Sequence, residues 1–455
     1  MGRLLDDFLS VDVVSLWLMD VILFVALVYG AVLFTGDGLA LLDYEVSPLG
    51  FVGIFAVACL FSIVPNMYRL QEKIEFIKVT VCSASIVALA CIVIPMMGGT
   101  IKFFNVHVLY IHKWSVLCAL IIWSICLVFN RLALSAALRN GLLVRPVVFI
   151  GDHAEWHNVS KDLSLSFHGK YRVTTLRLED IENGNVIAKL RQDKVWALVT
   201  TTKNNQKVPE TIEMFLMDCR SYGIKVYRDV EFLERHFKRV DIAHLTPCWL
   251  AYRPNFSTTK LDAMVRRVFD MAFSLCLLTA LSWVMIITAM LIKWESAGPV
   301  LYSQKRVGYR GREYSIYKFR SMRHDAEPDG TAKWAVKNDP RVTRIGSFIR
   351  RTRIDELPQL FNVLRGDMSV IGPRPERPNF VKLLATEIPH YQDRNYVKPG
   401  ITGWAQVSFP YGASIDDARM KLAYDLYYIK NRCLLFDLLI IAATVRVVLF
   451  QEGAR

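Results

Sequence analysis

The 455-residue chain is short of charge: Asp, Glu, Lys and Arg supply 21% of it against 53% hydrophobic residues, and the mean hydropathy is +0.28. Soluble proteins rarely run so apolar, so membrane segments are expected. Paired cysteines are missing too. The nine cysteines are scattered, most within apolar runs, with no CxxC. They read as small buried hydrophobes in a reducing compartment, which excludes a disulfide framework and a zinc cluster. The N-terminus lacks both a strong basic region and a small-residue cleavage site, so no cleaved signal peptide is expected. Acid is in deficit. The formal net charge is +13, and residues 298–355 alone carry 14 Lys/Arg against 6 Asp/Glu. Such a block suits phosphorylated small molecules or anionic lipid headgroups; beside membrane segments, nucleic acid is not the expected partner.

Four apolar runs open the chain, at 13–34, 46–64, 79–97 and 114–132, each near the ~20 residues that a helix needs to cross a bilayer. Arg69, Lys73 and Lys78 separate the second and third runs, and Arg131, Arg139 and Arg145 follow the fourth. Basic residues mark the cytoplasmic side, so both ends of a four-helix transmembrane bundle are expected inside. Lys102 and Lys113 in the opposite loop weaken this bias without reversing it. Asp20, within the first run, is either a functional intramembrane acid or a structural hydrogen-bonding group.

From about 141 to 255 the pattern turns to a soluble, Rossmann-like α/β domain. Short β-branched strands at 146–151, 171–178, 195–202 and 225–227 alternate with helical stretches such as 208–222. After the first strand, Gly151-Asp152-His153-Ala154-Glu155-Trp156 offers one glycine where a dinucleotide fingerprint needs three, so a structural or regulatory role is favoured over nucleotide binding. His153 and His157 stand four residues apart but lack a third metal ligand.

A fifth apolar run at 268–292 is long enough to cross. Crossing would place the basic segment after it outside, against the charge rule. A re-entrant helix, entering and leaving on the cytoplasmic face, removes the conflict, although Leu281-Ser282-Trp283-Val284 contains no proline or glycine to bend it.

The basic segment then leads into Asp355-Glu356-Leu357-Pro358-Gln359-Leu360, a run closed by Gly366. Asp355 has two readings: an ordinary helix N-cap, or an ionised acid among Arg350, Arg351 and Arg353 at a phosphate-attracting site. A carboxylate so placed can attack phosphorus, and a second acid beside it can hold a divalent cation that bridges phosphate oxygens. Gly372-Pro373-Arg374-Pro375 is a stiff loop that presents Arg374 at low entropic cost, and arginine suits bidentate phosphate recognition. The C-terminal run 434–450, interrupted by Asp437 and Arg446, is too broken to span and reads as an interfacial or docking helix. Tyr424, Tyr427 and Tyr428 before it fit a headgroup layer or core packing equally well.

Residues 260–455 closely resemble the catalytic domain of bacterial polyprenyl-phosphate sugar-1-phosphate transferases, the monotopic phosphoglycosyl transferases. The resemblance is carried by Lys318-Phe319-Arg320-Ser321-Met322, Asp355-Glu356-Leu357-Pro358-Gln359-Leu360, Gly372-Pro373-Arg374-Pro375 and Pro399-Gly400-Ile401-Thr402-Gly403-Trp404, in that order. The four spans and the central domain look like the long form that initiates exopolysaccharide or O-antigen assembly. The resemblance implies three parts: a transmembrane bundle (1–140), a degenerate Rossmann-like domain (141–255) and a catalytic domain (256–455) with a re-entrant helix near 268–292 and amphipathic interfacial helices.

It further implies attack by Asp355 on a UDP-sugar, release of UMP, and transfer of the phosphosugar to undecaprenyl phosphate. Glu356, with Asp355, would serve a Mg²⁺ ion. Lys305, Arg306, Lys318, Arg320, Arg353 and Arg374 are the expected phosphate- or nucleotide-binding residues. The family usually carries Ser-Pro in the re-entrant helix, where this chain has Ser282-Trp283. The expected location is the bacterial inner membrane, in contact with its lipids and with the catalytic domain in the cytoplasm. A central domain without a ligand site can serve a homodimer. The rival classes are a catalytically inactive, membrane-anchored regulator and a small transporter built on the four spans; the few polar residues in those spans argue against the second.

Overall fold

A computed structural model describes residues 144–151, 170–182, 186–200, 210–242, 259–323, 341–409 and 414–449 continuously, with scattered positions elsewhere. The chain divides into two compact units, Met1–Phe232 and Leu233–Arg455. The four apolar runs at the N-terminus lie almost wholly outside the described residues. Asp20 is described: it is 1% exposed, and Asn130 Nδ2 donates to its Oδ1 at 3.2 Å, which favours the structural reading of this acid.

In the first unit, β1 (Arg145–Ile150), β2 (Tyr171–Leu176), β3 (Ala197–Thr200) and β4 (Lys225–Arg228) form one parallel sheet in the order β2-β1-β3-β4. All four strands fall where the β-branched runs predict them. Val147–Ile150 and Ala197–Val199 are buried on both faces, as strands covered by helices on either side require. The helices α1 (Leu178–Glu182) and α2 (Val186–Gln192) lie between β2 and β3, and α3 (Glu210–Ser221) lies between β3 and β4. Leu190, Phe215 and Cys219 pack with Val148, Ile150 and Leu198 in one apolar cluster.

The second unit begins with a bent helix pair, α4 (Lys260–Ala280) and α5 (Ser282–Glu295), which meet at 61°. No single described helix is long and apolar enough to cross a membrane. The bend needs no proline. Thr279 Oγ1 donates back to the carbonyls of Leu275 and Cys276, and Ser282 Oγ donates to the Thr279 carbonyl. Hydroxyls that bond back into a helix compete with its ladder and bend it, a signal that the search for proline and glycine passes over.

After α5, β5 (Leu301–Val307) and β6 (Glu313–Phe319) form an antiparallel hairpin. Helix α6 (Arg344–Arg351) follows, its N-terminus capped by Thr343 Oγ1 and by the Glu295 carboxylate. A 3₁₀ turn (Ile354–Glu356) then leads into α7 (Gln359–Arg365), which Gly366 ends at φ 98°, a backbone region open to glycine at no steric cost. Asn362 ties α7 to the hairpin. It is fully buried, accepts from Tyr317 N at 3.1 Å and donates to the Ser315 carbonyl at 2.8 Å. It serves the open edge of β6 as a further strand would.

Short parallel strands β7 (Ser369–Ile371) and β8 (Gly400–Thr402) bring the ends of two loops together, with α8 (Pro378–Glu387) between them. A Cβ on Gly400 would lie 2.0 Å from Gly372 N, so this crossing requires glycine. The chain ends in α9 (Trp404–Ser408), α10 (Ile415–Lys430) and α11 (Leu434–Leu449). Tyr427 and Tyr428 are 2% and 1% exposed, so core packing, not a headgroup layer, explains them. Asp437, read as an interruption of the last apolar run, is buried and bonded by Arg266 of α4 and by Tyr428 Oη at 2.8 Å. It docks α11.

Candidate active site

The acid pair sits where α6 gives way to α7. Helix α6 stops at Thr352, and Arg353 follows at φ 60°, a left-handed conformation that non-glycine residues seldom adopt. The reversal sends Asp355 and Glu356 into the 3₁₀ turn, each 7% exposed. Asp355 therefore does not cap the next helix: the cap position of α7 belongs to Pro358 and carries no side-chain hydrogen bond. Of the two readings of Asp355, the ordinary N-cap is the one the geometry removes.

Three cations converge on one oxygen of Glu356. Arg374 Nη2 reaches Oε1 at 2.7 Å, Lys318 Nζ at 3.0 Å and Arg353 Nη1 at 3.7 Å. They arrive from separate elements: Lys318 from β6, Arg374 from the Gly372-Pro373-Arg374-Pro375 loop, and Arg353 from the left-handed turn. Burial would raise the Glu356 pKa, but Arg374, Lys318 and Arg353 together outweigh it and hold the group well below the ordinary carboxylate range. Lys318 is pushed down by its own burial, which the Glu356 and Asp355 charges only partly offset.

Asp355 meets a different environment. Among the described residues, no group donates a hydrogen bond to its carboxylate. Burial first, and then the neighbouring Glu356 charge, raise its pKa to about 6 against the pull of Lys318, Arg350 and Arg374. The result is a mostly ionised, poorly solvated carboxylate next to clustered positive charge. Such an oxygen is available for bond formation instead of being committed to a partner.

Among the remaining predicted residues, Arg306 grips the Pro375 carbonyl at 3.3 Å and faces Glu376 Oε2 at 3.8 Å, behind the Arg374 loop. Lys305 is exposed on β5. Arg320 donates to the carbonyls of Ala297 and Ser296 at 2.7 and 2.8 Å, holding the chain just after α5, and is not among the cations gathered at Glu356. One contributor was missed. Gln406 of α9 accepts from Arg374 Nη1 at 2.8 Å and so fixes the second arm of that guanidinium. Its place two residues after Trp404, just beyond the Gly403-Trp404 motif, was the available signal.

The donors also suit a divalent cation. All three cationic contacts go to Glu356 Oε1, leaving Oε2 and the Asp355 carboxylate without such a contact among the described residues. One or two carboxylates, completed by substrate phosphate and water, is the ordinary Mg²⁺ donor set. No group of three or more His, Cys, Asp and Glu capable of holding a metal occurs among the described residues, so an all-protein cage is not offered.

Comparison with known proteins gives the family. Residues 261–451 match the family model described as bacterial sugar transferase. The chain is 46% identical over 243 residues to the UDP-N-acetylgalactosamine-undecaprenyl-phosphate N-acetylgalactosaminephosphotransferase of Aeromonas hydrophila, covering 53% of this chain and 56% of that protein. It is 43% identical over 198 residues to the undecaprenyl-phosphate glucose phosphotransferase of Komagataeibacter xylinus, covering 42% of this chain and 37% of that protein. The match thus spans about half or less of these two relatives. A third relative, the exopolysaccharide production protein PSS of Rhizobium leguminosarum bv. phaseoli, is matched over 95% of its length at 44% identity, with 41% of this chain covered. The acid pair, the arginine loop and the strand lysine all lie inside the matched region, and the chain belongs to the bacterial sugar transferase family.

Proposed function

We propose that the chain transfers a sugar-1-phosphate from a UDP-sugar to undecaprenyl phosphate in two steps, as an initiating enzyme of exopolysaccharide, capsule or O-antigen synthesis. The observation that carries this is the division of labour within the acid pair: Glu356 collects the cations, while Asp355 is buried without a hydrogen-bond donor among the described residues.

In the first step an Asp355 carboxylate oxygen attacks the sugar-bearing phosphorus of the diphosphate. The bond from that phosphorus to the bridging oxygen breaks, UMP leaves with the bonding pair, and the phosphosugar remains bound to Asp355 as an acyl phosphate. In the second step an oxygen of undecaprenyl phosphate attacks the same phosphorus, the bond from phosphorus to the Asp355 oxygen breaks and the carboxylate is regenerated. Arg374, Lys318 and Arg353 supply the positive field into which the diphosphate enters. Held in place by Glu356 and Gln406, they need little reorganisation when charge develops. Mg²⁺ at Glu356 and Asp355 would, when bound, neutralise phosphate charge and assist departure of the leaving group.

The bent pair α4–α5 supports re-entry from the cytoplasmic face of the bacterial inner membrane. Its length and composition suit a membrane but no single straight span, and Leu261, Met264, Val268, Trp283, Ile286 and Met290 stand exposed along it. Phe348 on α6 is likewise exposed. The reaction is tested with detergent-solubilised protein, Mg²⁺, undecaprenyl phosphate and a panel of UDP-sugars including UDP-N-acetylgalactosamine and UDP-glucose. UMP release that disappears in Asp355→Asn supports the reading; unchanged release in that variant removes Asp355 as nucleophile.

A further inference from the structure

The loop that carries Arg374 is held at four successive carbonyls. Gly400 N donates to the Pro373 carbonyl at 3.0 Å, Arg394 Nη2 to Arg374 at 2.9 Å, Arg306 Nη1 to Pro375 at 3.3 Å and Val307 N to Glu376 at 2.9 Å. Two prolines in this stretch remove backbone donors and fix φ, so these grips and the ring constraints together determine where the Arg374 side chain begins.

The grip on Arg374 itself comes from a side chain held on every side. Arg394 is 8% exposed. Its Nη2 also donates to Asp425 Oδ2 at 2.8 Å, its Nη1 donates to Tyr391 Oη at 2.8 Å, and its carbon Cζ stands 5.2 Å from the Tyr391 ring centroid. Asp425 is 2% exposed. A buried ion pair of this kind often adds no net stability over a well-packed apolar pair, so the geometry it imposes is the property to consider. The planar guanidinium gives two fixed directions at once: one arm reaches Tyr391, and the other spans Asp425 and the Arg374 carbonyl. An ammonium cannot hold that fork.

We propose that Arg394, clamped by Asp425 and Tyr391, is a positioning residue: it fixes the backbone of Arg374 so that the Arg374 guanidinium bridges Glu356 and Gln406 and meets the substrate phosphates in one orientation. Arg394 acts through Arg374: its Nη1 and Nη2 donate to Tyr391 Oη, Asp425 Oδ2 and the Arg374 carbonyl. The assignment rests on the phosphosugar-transfer reading and sharpens it, since a displacement of about 1 Å in a charge clamp can cost on the order of 100-fold in rate.

The test is a double-mutant cycle on the full chain in detergent, reading UMP release from UDP-N-acetylgalactosamine and UDP-glucose with undecaprenyl phosphate present. Arg394→Lys is expected to lower kcat by roughly 10- to 100-fold while shifting KM less than about threefold. In an Arg374→Ala background the same change is expected to cost less than about threefold more, because the group it positions is gone. Tyr391→Phe removes a single hydroxyl and should give a smaller loss with the same dependence on Arg374; it carries the cycle if Arg394→Lys does not yield folded protein. Equal losses with and without Arg374 would overturn the assignment and leave Arg394 a purely structural residue. A wild-type chain that releases no UMP, or release indifferent to Asp355→Asn, would instead sink the phosphosugar-transfer reading, and would show before any change at 394 is made.

Discussion

Asp355 and Glu356 adjoin in the chain and are equally buried, yet Arg374, Lys318 and Arg353 all reach Glu356 Oε1 and none of them donates to Asp355. The asymmetry separates a carboxylate that organises charge from one left available for chemistry. Glu356→Gln tests the organising half. The amide keeps the shape but leaves three cations facing a neutral group, and breaking a buried, hydrogen-bonded charge arrangement costs about 3–5 kcal/mol. UMP release should fall by at least about 100-fold, in line with losing preorganised electrostatics. Thermal melts should drop as well.

The pH dependence of the first step follows from Asp355. Burial and the Glu356 charge raise its pKa to about 6, so the proposed nucleophile is lost to protonation as the pH falls through that value. The kcat/KM for UMP release, which reports the free protein, is expected to show an acid limb near pH 6. In Glu356→Gln the limb should move to lower pH, because the neighbouring negative charge that helped raise it is absent. A limb that stays in place would separate the two acids electrostatically.

Stability should respond in the opposite sense to activity. Asp355 has a folded pKa above its unfolded value of 3.8, so the stability it contributes is present in acid and is lost as the pH rises through about 6. At pH 8 the ionised, buried carboxylate is therefore a net cost, on the order of 3 kcal/mol. Asp355→Asn should abolish transfer and melt higher than the parent at pH 8, with the gain fading toward pH 4. Glu356 runs the other way. Its pKa is depressed below 4.5, so its contribution is full above that pH and is lost as the pH falls through its folded value. Melting curves of Asp355→Asn across pH 4–8, and of Glu356→Gln continued below pH 4.5, check both signs.

The hinge between α4 and α5 is held by side-chain hydroxyls, and that can be tested directly. The Thr279→Ala, Ser282→Ala double variant removes the bonds to the carbonyls of Leu275, Cys276 and Thr279, and with them the competition that bends the pair. If re-entry is the native state, a cysteine placed at Glu313 is labelled from the cytoplasmic side in the parent. In the double variant a fraction of molecules should become labelled from outside. Labelling from outside in the parent would contradict re-entry.

Much of this was readable in the residues. The strands of the parallel sheet were marked by β-branched runs, and Gly366 marked the end of α7. The acid pair, the strand lysine and the arginine loop were separate motifs that the fold brings to one point. Other features were silent for physical reasons. At the bend at Leu281 the Thr279 and Ser282 hydroxyls bond back along the helix, a cue weaker than the proline or glycine that usually marks a kink. Arg353 adopts a left-handed backbone where a sequence offers glycine or asparagine as the usual cue. Arg320 looked like one more cation of a phosphate site, but its guanidinium is committed to carbonyls just after α5. Asp437 looked like damage to an apolar helix, and only its partner Arg266, 171 residues away, explains it.

The most direct test of the account is to trap the intermediate. The purified chain is incubated with Mg²⁺ and the UDP-sugar that it turns over, without undecaprenyl phosphate, and the intact mass and peptide map are recorded. The account predicts a stoichiometric gain of one phosphosugar, located on the peptide containing Asp355, absent in Asp355→Asn and discharged when undecaprenyl phosphate is added. UMP release without any adduct, or an adduct that persists in Asp355→Asn, would contradict it.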